Sequence, residues 1–154
     1  MIIQIDTREK QKAIKNIKSE FDRQGITYFE SKLFVGDYMN VDNPRLCVDR
    51  KKDLFELCVN VCQDHKRFAA ELQRASQMGF RIIILCEHGQ GIKSLDGVKC
   101  WKNPRLKTSP LAVSGERLHK ILATMQTTYN FDIQFCDKKQ TGAKIIDLLR
   151  CNDA

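Results

Sequence analysis

Two aspartates and a lysine in the first third of the chain have types and a spacing suited to phosphodiester hydrolysis. Asp37 follows Gly36, and twelve positions later Asp49-Arg50-Lys51 places a second carboxylate close to an amine. Two nearby carboxylates repel each other, and a hard divalent cation such as Mg²⁺ relieves that repulsion with oxygen ligands. On an extended strand Lys51 lies on the same face as Asp49, where its charge could stabilise a phosphate or position a water molecule.

A β-hairpin is the element that would bring these groups together. Extended segments are predicted at residues 38–41 and 46–50, and the residues between them, 42–45, are typical of a turn. Antiparallel pairing of the two segments would place Asp37 and Asp49 at one end of the hairpin.

Other carboxylates could complete this site or have only structural roles. Asp6 ends a β-branched segment, Ile2–Ile5, and could bring a third carboxylate to the same place, whereas Glu30 is a weaker supporting candidate. In the structural alternative, Asp37 is an ordinary turn residue and residues 49–53 are a solvated run of charges. An Asp-x-Lys tripeptide is common by chance, so it does not decide between the two on its own.

The rest of the chain alternates between strands and helices. Periodicity predicts helical stretches and further strands at these positions: helices at 11–24, 53–78, 114–129 and 141–149, and strands at 27–33, 80–86 and 131–136. This alternation predicts an α/β fold with helices on both faces of a sheet, and the length predicts a single domain over residues 1–154. The apolar faces of the last two helices could instead pair across a two-fold axis in a homodimer.

Composition excludes several classes of protein. With 42% hydrophobic and 29% charged residues, the chain is expected to fold and not to be disordered. The longest purely apolar run, Ile82–Cys86, is far too short for a membrane span, and the first residues lack the pattern of a secretory signal. We therefore expect a cytoplasmic protein with no membrane partner.

The seven cysteines agree with that compartment. An odd number spread through apolar segments does not indicate a disulfide framework, and cytosolic thiols stay reduced. Cys58, Cys62 and His65 could lie on one helix face as zinc ligands. Structural zinc sites usually use paired ligand motifs, however, and no second pair is present, so free thiols are the favoured interpretation.

A net charge of +7 indicates attraction to polyanions without identifying the partner. Residues 91–107 contain a single acid, Asp96, and five bases that surround Trp101: Lys93, Lys99, Lys102, Arg105 and Lys107. Basic side chains beside an aromatic ring suit contacts with DNA phosphates and stacking on bases. The alternative is a solvated loop in which Trp101 is a buried anchor.

Three ordered motifs together resemble the nuclease domain of XPF-type structure-specific endonucleases. They are Asp6-Thr7-Arg8-Glu9 after the first strand, Gly36-Asp37, and Val48-Asp49-Arg50-Lys51, and the likeness continues through Asp64-His65-Lys66-Arg67-Phe68. The resemblance implies a restriction-endonuclease-like core with a mixed central sheet, dependence on Mg²⁺ or Mn²⁺, and cleavage of DNA near branches or junctions.

The resemblance also implies roles for individual residues. Asp37 and Asp49 would bind the metal, and Arg67 would contact DNA or brace the active-site loop. The residues expected to be catalytic are Asp37, Asp49, Lys51, Asp6 and Arg50. The residues expected to support them are Arg8, Glu9 and Asp53.

The chain departs from the family's pattern at two positions. Asp49 stands where the family usually has Glu, and Asp53 follows Lys51 more closely than the family's next Asp, whose strict position here is Phe55. Asp53 is either that residue after a deletion or a helix N-cap. Members of the family often carry a helix-hairpin-helix pair or a helicase, and we expect neither within 154 residues.

The two departures keep other functions open. A catalytically silent module that binds DNA or docks to a partner protein is the alternative from a different class. A Holliday-junction resolvase is an alternative within the nuclease class.

Overall fold

A six-stranded sheet runs through the computed structural model, which describes residues 1–150. The strands are β1 (Ile2–Ile5), β2 (Thr27–Glu30), β3 (Tyr38–Asn40), β4 (Asn43–Lys51), β5 (Arg81–Glu87) and β6 (Phe131–Cys136). Their spatial order is β2-β1-β3-β4-β5-β6. The sheet is mixed, because β3 is antiparallel to both β1 and β4 while the other neighbouring pairs are parallel.

This topology collects polar residues at one edge of the sheet. The carboxyl ends of the five parallel strands and the amino end of β3 all lie at that edge. Asp6 follows β1, Asp37 precedes β3, Lys51 ends β4 and Glu87 ends β5. Residues far apart in the sequence are therefore neighbours here.

Five helices cover the two faces of the sheet: α1 (Gln11–Arg23), α2 (Leu54–Cys62), α3 (His65–Gln77), α4 (Gly115–Thr128) and α5 (Thr141–Arg150). α1 and α5 pack on one face around buried residues such as Ile14 and Ile145. The other three helices pack on the opposite face around Leu57, Leu72 and Leu118. Short 3₁₀ helices occur at 96–100, 104–107 and 138–140.

The predicted α/β fold with a mixed sheet is confirmed, with local differences. The helical stretch predicted at 53–78 is two helices, because the chain turns at Gln63 and Asp64 between α2 and α3. The predicted strand at 27–33 ends at Glu30, and the turn predicted at 42–45 occupies only 41–42, since Pro44 is already in β4.

The apolar faces of α4 and α5, which could pair across a two-fold axis in a homodimer, are largely buried within this domain. Most of their residues are buried in this chain's own core: Leu118, Leu122, Met125, Ile145, Ile146 and Leu149. Across residues 1–150, no helix has both the length and the apolar character to cross a membrane. Cys151 and the end of the domain predicted for residues 1–154 lie outside the described residues.

Candidate active site

The hairpin register places the two aspartates side by side. Tyr38 pairs with Val48, so the preceding Asp37 and the following Asp49 meet at the same end of β3 and β4. Their carboxyl groups are within hydrogen-bonding contact. The structure therefore brings together the two carboxylates that the sequence spacing singles out.

Gly36 allows this close approach of the chain. Its φ is +74°, in the left-handed region that favours glycine, and an added Cβ would lie 2.9 Å from Cβ of Cys47 and 3.2 Å from the carbonyl oxygen of Val48. The next residue donates a backbone hydrogen bond from Asp37 N–H to that same carbonyl at 2.9 Å. A side chain at position 36 would separate the two strands where the carboxylates meet.

The environment of Asp37 disfavours its charge. Burial raises the pKa of Asp37 well above its usual value, and the neighbouring charges of Asp49 and Glu9 raise it further. The N–H of Arg50 donates to Asp37 Oδ2 at 2.8 Å, which opposes this effect without overcoming it. Asp37 and Asp49 thus form a pair of oxygen donors that a cation would stabilise.

Lys51 lies on the same face of β4 as Asp49. Its Nζ is 3.3 Å from Asp49 Oδ1 and 5.4 Å from the centre of the Phe68 ring on α3. Burial disfavours the ammonium, but the charges of Asp49 and Asp37 outweigh burial, so the pKa of Lys51 lies above its usual value. The amine is therefore held as a cation beside the carboxylate pair.

Asp6 supports the site through the backbone. Its Oδ1 accepts from Leu33 N–H at 2.7 Å, and its Oδ2 accepts from the backbone N–H and Nε of Arg8 at 3.1 and 2.6 Å. Burial opposes ionisation, but these hydrogen bonds prevail and lower the pKa of Asp6. Each oxygen accepts at least one hydrogen bond, and the Asp6 N–H donates to the carbonyl oxygen of Asp37 at 2.8 Å, so Asp6 fixes the segment that leads to Asp37.

Arg50 points to the other face of β4, where it joins the half-buried Glu9 and the buried Glu87. Its Nε donates to Glu9 Oε2 at 2.8 Å and its Nη1 donates to Glu87 Oε1 at 3.1 Å. The Tyr38 hydroxyl also donates to Glu9 Oε2, at 2.7 Å. Burial disfavours the guanidinium, yet its bonds to Glu9 raise the pKa of Arg50. This network braces the strand that carries Asp49 and Lys51.

Two glutamates near the site were not singled out from the sequence. Glu71 lies on α3 one turn after Phe68, and burial together with the charge of Asp49 raises its pKa. Its position one turn after Phe68 on an amphipathic helix is the sequence pattern that could have identified Glu71. Glu87 had no local signal, because only the pairing of β4 with β5 brings it to Arg50.

Three other candidate residues lie apart from the carboxylate pair. Asp53 is the N-cap of α2, where its side chain accepts from Glu56 N–H at 2.8 Å. Glu30 forms a surface ion pair with Lys18 at 2.6 Å. Arg67 is exposed in the first turn of α3.

The basic segment surrounds a buried tryptophan. Trp101 is only 4% exposed and packs in the core, so the anchoring alternative describes it and its ring offers no stacking surface. The five surrounding bases are exposed: Lys93, Lys99, Lys102, Arg105 and Lys107. Within the described residues, no three or more His, Cys, Asp or Glu side chains are arranged to hold a metal ion, including the Cys58, Cys62 and His65 trio.

The fold is that of an XPF-type nuclease domain. XPF from Aeropyrum pernix matches with a TM-score of 0.68 at 18% identity, over 97% of this chain and 64% of that one. A structure of the same archaeal protein in complex with DNA matches with a TM-score of 0.66 at 18% identity, over 97% and 63%. The chain thus spans somewhat less than two thirds of these proteins. No curated protein matches it.

A sequence profile of the ERCC4 domain matches residues 5–149. The chain belongs to the ERCC4 domain family, a family of nuclease domains.

Proposed function

We propose that this domain is a Mg²⁺- or Mn²⁺-dependent endonuclease that hydrolyses phosphodiester bonds in branched or junction DNA. The observation that carries the proposal is the contact between the Asp37 and Asp49 carboxyls, with Lys51 Nζ 3.3 Å from Asp49, in a member of the ERCC4 domain family. The match to an archaeal XPF in complex with DNA supports DNA as the substrate.

The donor set fits a small divalent ion. Asp37 and Asp49 supply only carboxylate oxygens, and Mg²⁺ is commonly held by one or two carboxylates together with water and substrate phosphate. A pair is therefore sufficient, although no group of three ligands exists among residues 1–150. When bound, the ion would polarise the scissile phosphate and acidify the attacking water.

The side chains around the pair have distinct proposed roles. Lys51 would stabilise the negative charge that develops on the phosphate, because its ammonium is fixed beside Asp49. Arg50 and Glu9 would hold β4 in position, and Asp6 with Arg8 would hold the segment before Asp37. Arg67 and the basic residues around Trp101 would contact DNA phosphates outside the reaction centre.

Cleavage assays on labelled flap, fork and four-way junction DNA with Mg²⁺ or Mn²⁺ test the proposal. We expect cleavage of at least one substrate, and a loss of at least about 100-fold in Asp37→Asn and Asp49→Asn. Asp147→Asn, on an exposed carboxylate of α5, is the matched control and should cut normally. Absence of cleavage on every substrate, or full activity in Asp37→Asn, would refute an endonuclease. Symmetric paired nicks restricted to four-way junctions would identify a resolvase instead.

A catalytically silent module is favoured by one observation. Asp53 caps α2, and Phe55 stands at the position where the family has its further aspartate, so that aspartate has no counterpart at its usual spacing in this chain. Titration calorimetry with Mn²⁺ separates the two functions. Binding that disappears in Asp49→Asn supports the nuclease, whereas no binding in the wild type supports the silent module.

A further inference from the structure

Glu87, the last residue of β5, has one carboxylate oxygen without a hydrogen bond. Its Oε1 accepts from Arg50, while its Oε2 is buried and has no partner among residues 1–150. The residue is only 5% exposed. Because a buried acceptor without a donor is costly, this oxygen is suited to a ligand that donates a hydrogen bond.

Glu87 lines a cavity of about 490 Å³ beside the carboxyl edge of the sheet. Asn60 of α2 also lines it, and its side-chain oxygen is likewise buried without a partner among the residues described. Phe55, on the same helix, adds an aromatic ring to the lining. The cavity therefore combines two unused acceptors with a surface on which a flat ring can stack.

Lysines add positive charge to the same cavity. Lys10, Lys52 and Lys138 line it together with the carboxylates of Glu9 and Glu56. All three lysines are exposed, and none forms an ion pair within the described part of the chain. Lys52 directly follows Lys51, and Arg50 also lines the cavity, so the cavity lies at the same end of β4 as the carboxylate pair but on the opposite face of the strand. Unpaired lysines around an opening suit the phosphates of a nucleic-acid strand.

We propose that this cavity binds one unpaired nucleotide of DNA next to the cleavage site, an inference that rests on the proposed function. The phosphates would contact the lysines, and the base would stack on Phe55 and donate hydrogen bonds to Glu87 and Asn60.

This arrangement predicts a base preference. Guanine offers a ring N–H beside an amino group, and adenine and cytosine offer an amino group. Thymine has a single N–H between two carbonyl oxygens, which would face the acceptors of the protein. The cavity should therefore favour guanine most and thymine least.

DNA forks that differ only at the first unpaired nucleotide test this inference. Fluorescence anisotropy in EDTA measures the Kd for forks carrying G, A, C, T or an abasic site, without requiring cleavage. The G fork should bind about tenfold more tightly than the T and abasic forks, the effect of one hydrogen bond to a charged group. Equal affinity for all five forks would overturn the inference.

Variants assign the preference to the cavity. Glu87→Gln retains the acceptor for Arg50 but replaces an acceptor by an amide, so the G-to-T affinity ratio should fall to about one. Asn60→Leu lies outside the Arg50 network and should lower the ratio by about threefold, which keeps the test valid if the first variant does not fold. Glu116→Gln, an exposed residue of α4, should leave the ratio unchanged. If the G-to-T affinity ratio is unchanged in cavity variants that fold, the base preference does not arise in this cavity.

Two further measurements separate the possible failures. Titration with free dGMP and dTMP distinguishes a site for nucleotides within DNA from one for free nucleotides, and dGMP binding without discrimination among the forks would overturn the proposal. Cleavage with Mn²⁺ is measured independently. Cleavage without a base preference would refute nucleotide binding in the cavity but leave the proposed endonuclease function standing. A base preference without cleavage would refute the endonuclease function but leave nucleotide binding standing.

Discussion

At the scale of single residues, the buried carboxylate of Asp37 lowers the stability of the fold. Burial and the charge of Asp49 both disfavour its carboxylate, and among the residues described only one backbone N–H, from Arg50, donates to it. Without a cation, the folded chain relieves this repulsion by holding a proton on Asp37, which costs free energy at neutral pH. Such a balance is typical of functional sites, where activity requires groups that do not stabilise the fold.

Replacing Asp37 by Asn should stabilise the protein in the absence of metal. The amide keeps an oxygen for Arg50 N–H and removes the like charge, so Tm in EDTA should rise by about 2–4 °C. Thermal unfolding measures this shift. Asp42→Asn, in the exposed turn of the hairpin, is the control and should leave Tm unchanged. A lower Tm for Asp37→Asn would show that the carboxylate contributes favourably to the fold.

The sequence predicted the residues whose signals are local. Asp37, Asp49 and Lys51 follow from alternation along a hairpin. Glu71 and Glu87 join them only through the packing of α3 and the pairing of β5, which depend on contacts between distant segments. The hydrogen bond that Asp6 accepts from Leu33 could not be foreseen either, because the two residues are 27 positions apart.

At the scale of elements, the start of α2 connects the site to the central sheet. Asp53 accepts from Glu56 N–H at 2.8 Å, and Glu56 Oε2 accepts from Lys52 N–H at 2.9 Å, as in a capping box. The N–H of Leu54 donates to His88 Nδ1 at 3.4 Å. The helix that follows β4 is thus tied to the end of β5.

Substitution of Asp53 distinguishes a cap from a catalytic group. Loss of the cap in Asp53→Ala should lower the free energy of unfolding by about 1 kcal/mol. Under conditions where the variant is folded, kcat should stay within about twofold of the wild type, since the cap makes no contribution to the transition state. Urea unfolding and single-turnover cleavage measure the two quantities. A large loss of kcat at unchanged stability would assign Asp53 to catalysis.

His88 should make stability depend on pH. Burial lowers its pKa below the ordinary value of 6.5, although the Asp53 carboxylate partly opposes this. The unfolded chain therefore takes up the proton first, so the contribution of neutral His88 is complete above about pH 6.5 and is lost as the pH falls through the lower folded pKa.

Urea unfolding near pH 7.5 and pH 5.5 measures this dependence. His88→Asn, which keeps an acceptor for Leu54 N–H and does not titrate, should lose less stability than the wild type over the same interval. Equal losses in the two proteins would show that His88 is not responsible.

Element types were predictable where periodicity was strong, and boundaries were not. The apolar run at 82–86 and the amphipathic pattern at 11–24 predicted β5 and α1 closely. The break between α2 and α3 was missed because both halves have helical periodicity. The length of β4 was underestimated because Asn43 and Pro44 favour turns in isolation, whereas in the sheet Asn43 pairs with Asn40 and begins the strand.

At the scale of the whole molecule, the basic segment around Trp101 forms a cationic surface. The buried indole anchors the segment, so the exposed bases are carried on a fixed backbone. Their charge would act on DNA phosphates whatever the base sequence. We therefore expect DNA binding through this surface to weaken as the salt concentration rises.

Neutralising three of these bases should weaken the salt dependence of DNA binding. In a triple variant, Lys102→Gln, Arg105→Gln and Lys107→Gln, the slope of log K against log salt should become less negative by up to about 2.7, about 0.9 for each phosphate that the protein no longer neutralises. Fork binding in EDTA at several salt concentrations measures the slope. Lys15→Gln on the exposed side of α1 is the control. An unchanged slope would place the DNA on another surface.

A register shift separates the turn of the hairpin from the end that carries the two aspartates. Tyr38 pairs with Val48 and Met39 with Cys47, but Asn40 pairs with Asn43, so a bulge lies between the turn and the carboxylates. Because this bulge can absorb a change of length, a residue added at the turn should leave Asp49 beside Asp37, whereas a residue inserted between Val48 and Asp49 would turn Asp49 to the other face of the strand. In related chains, the number of residues between Gly36-Asp37 and Asp49-Arg50-Lys51 would then vary more freely than the spacing within each motif.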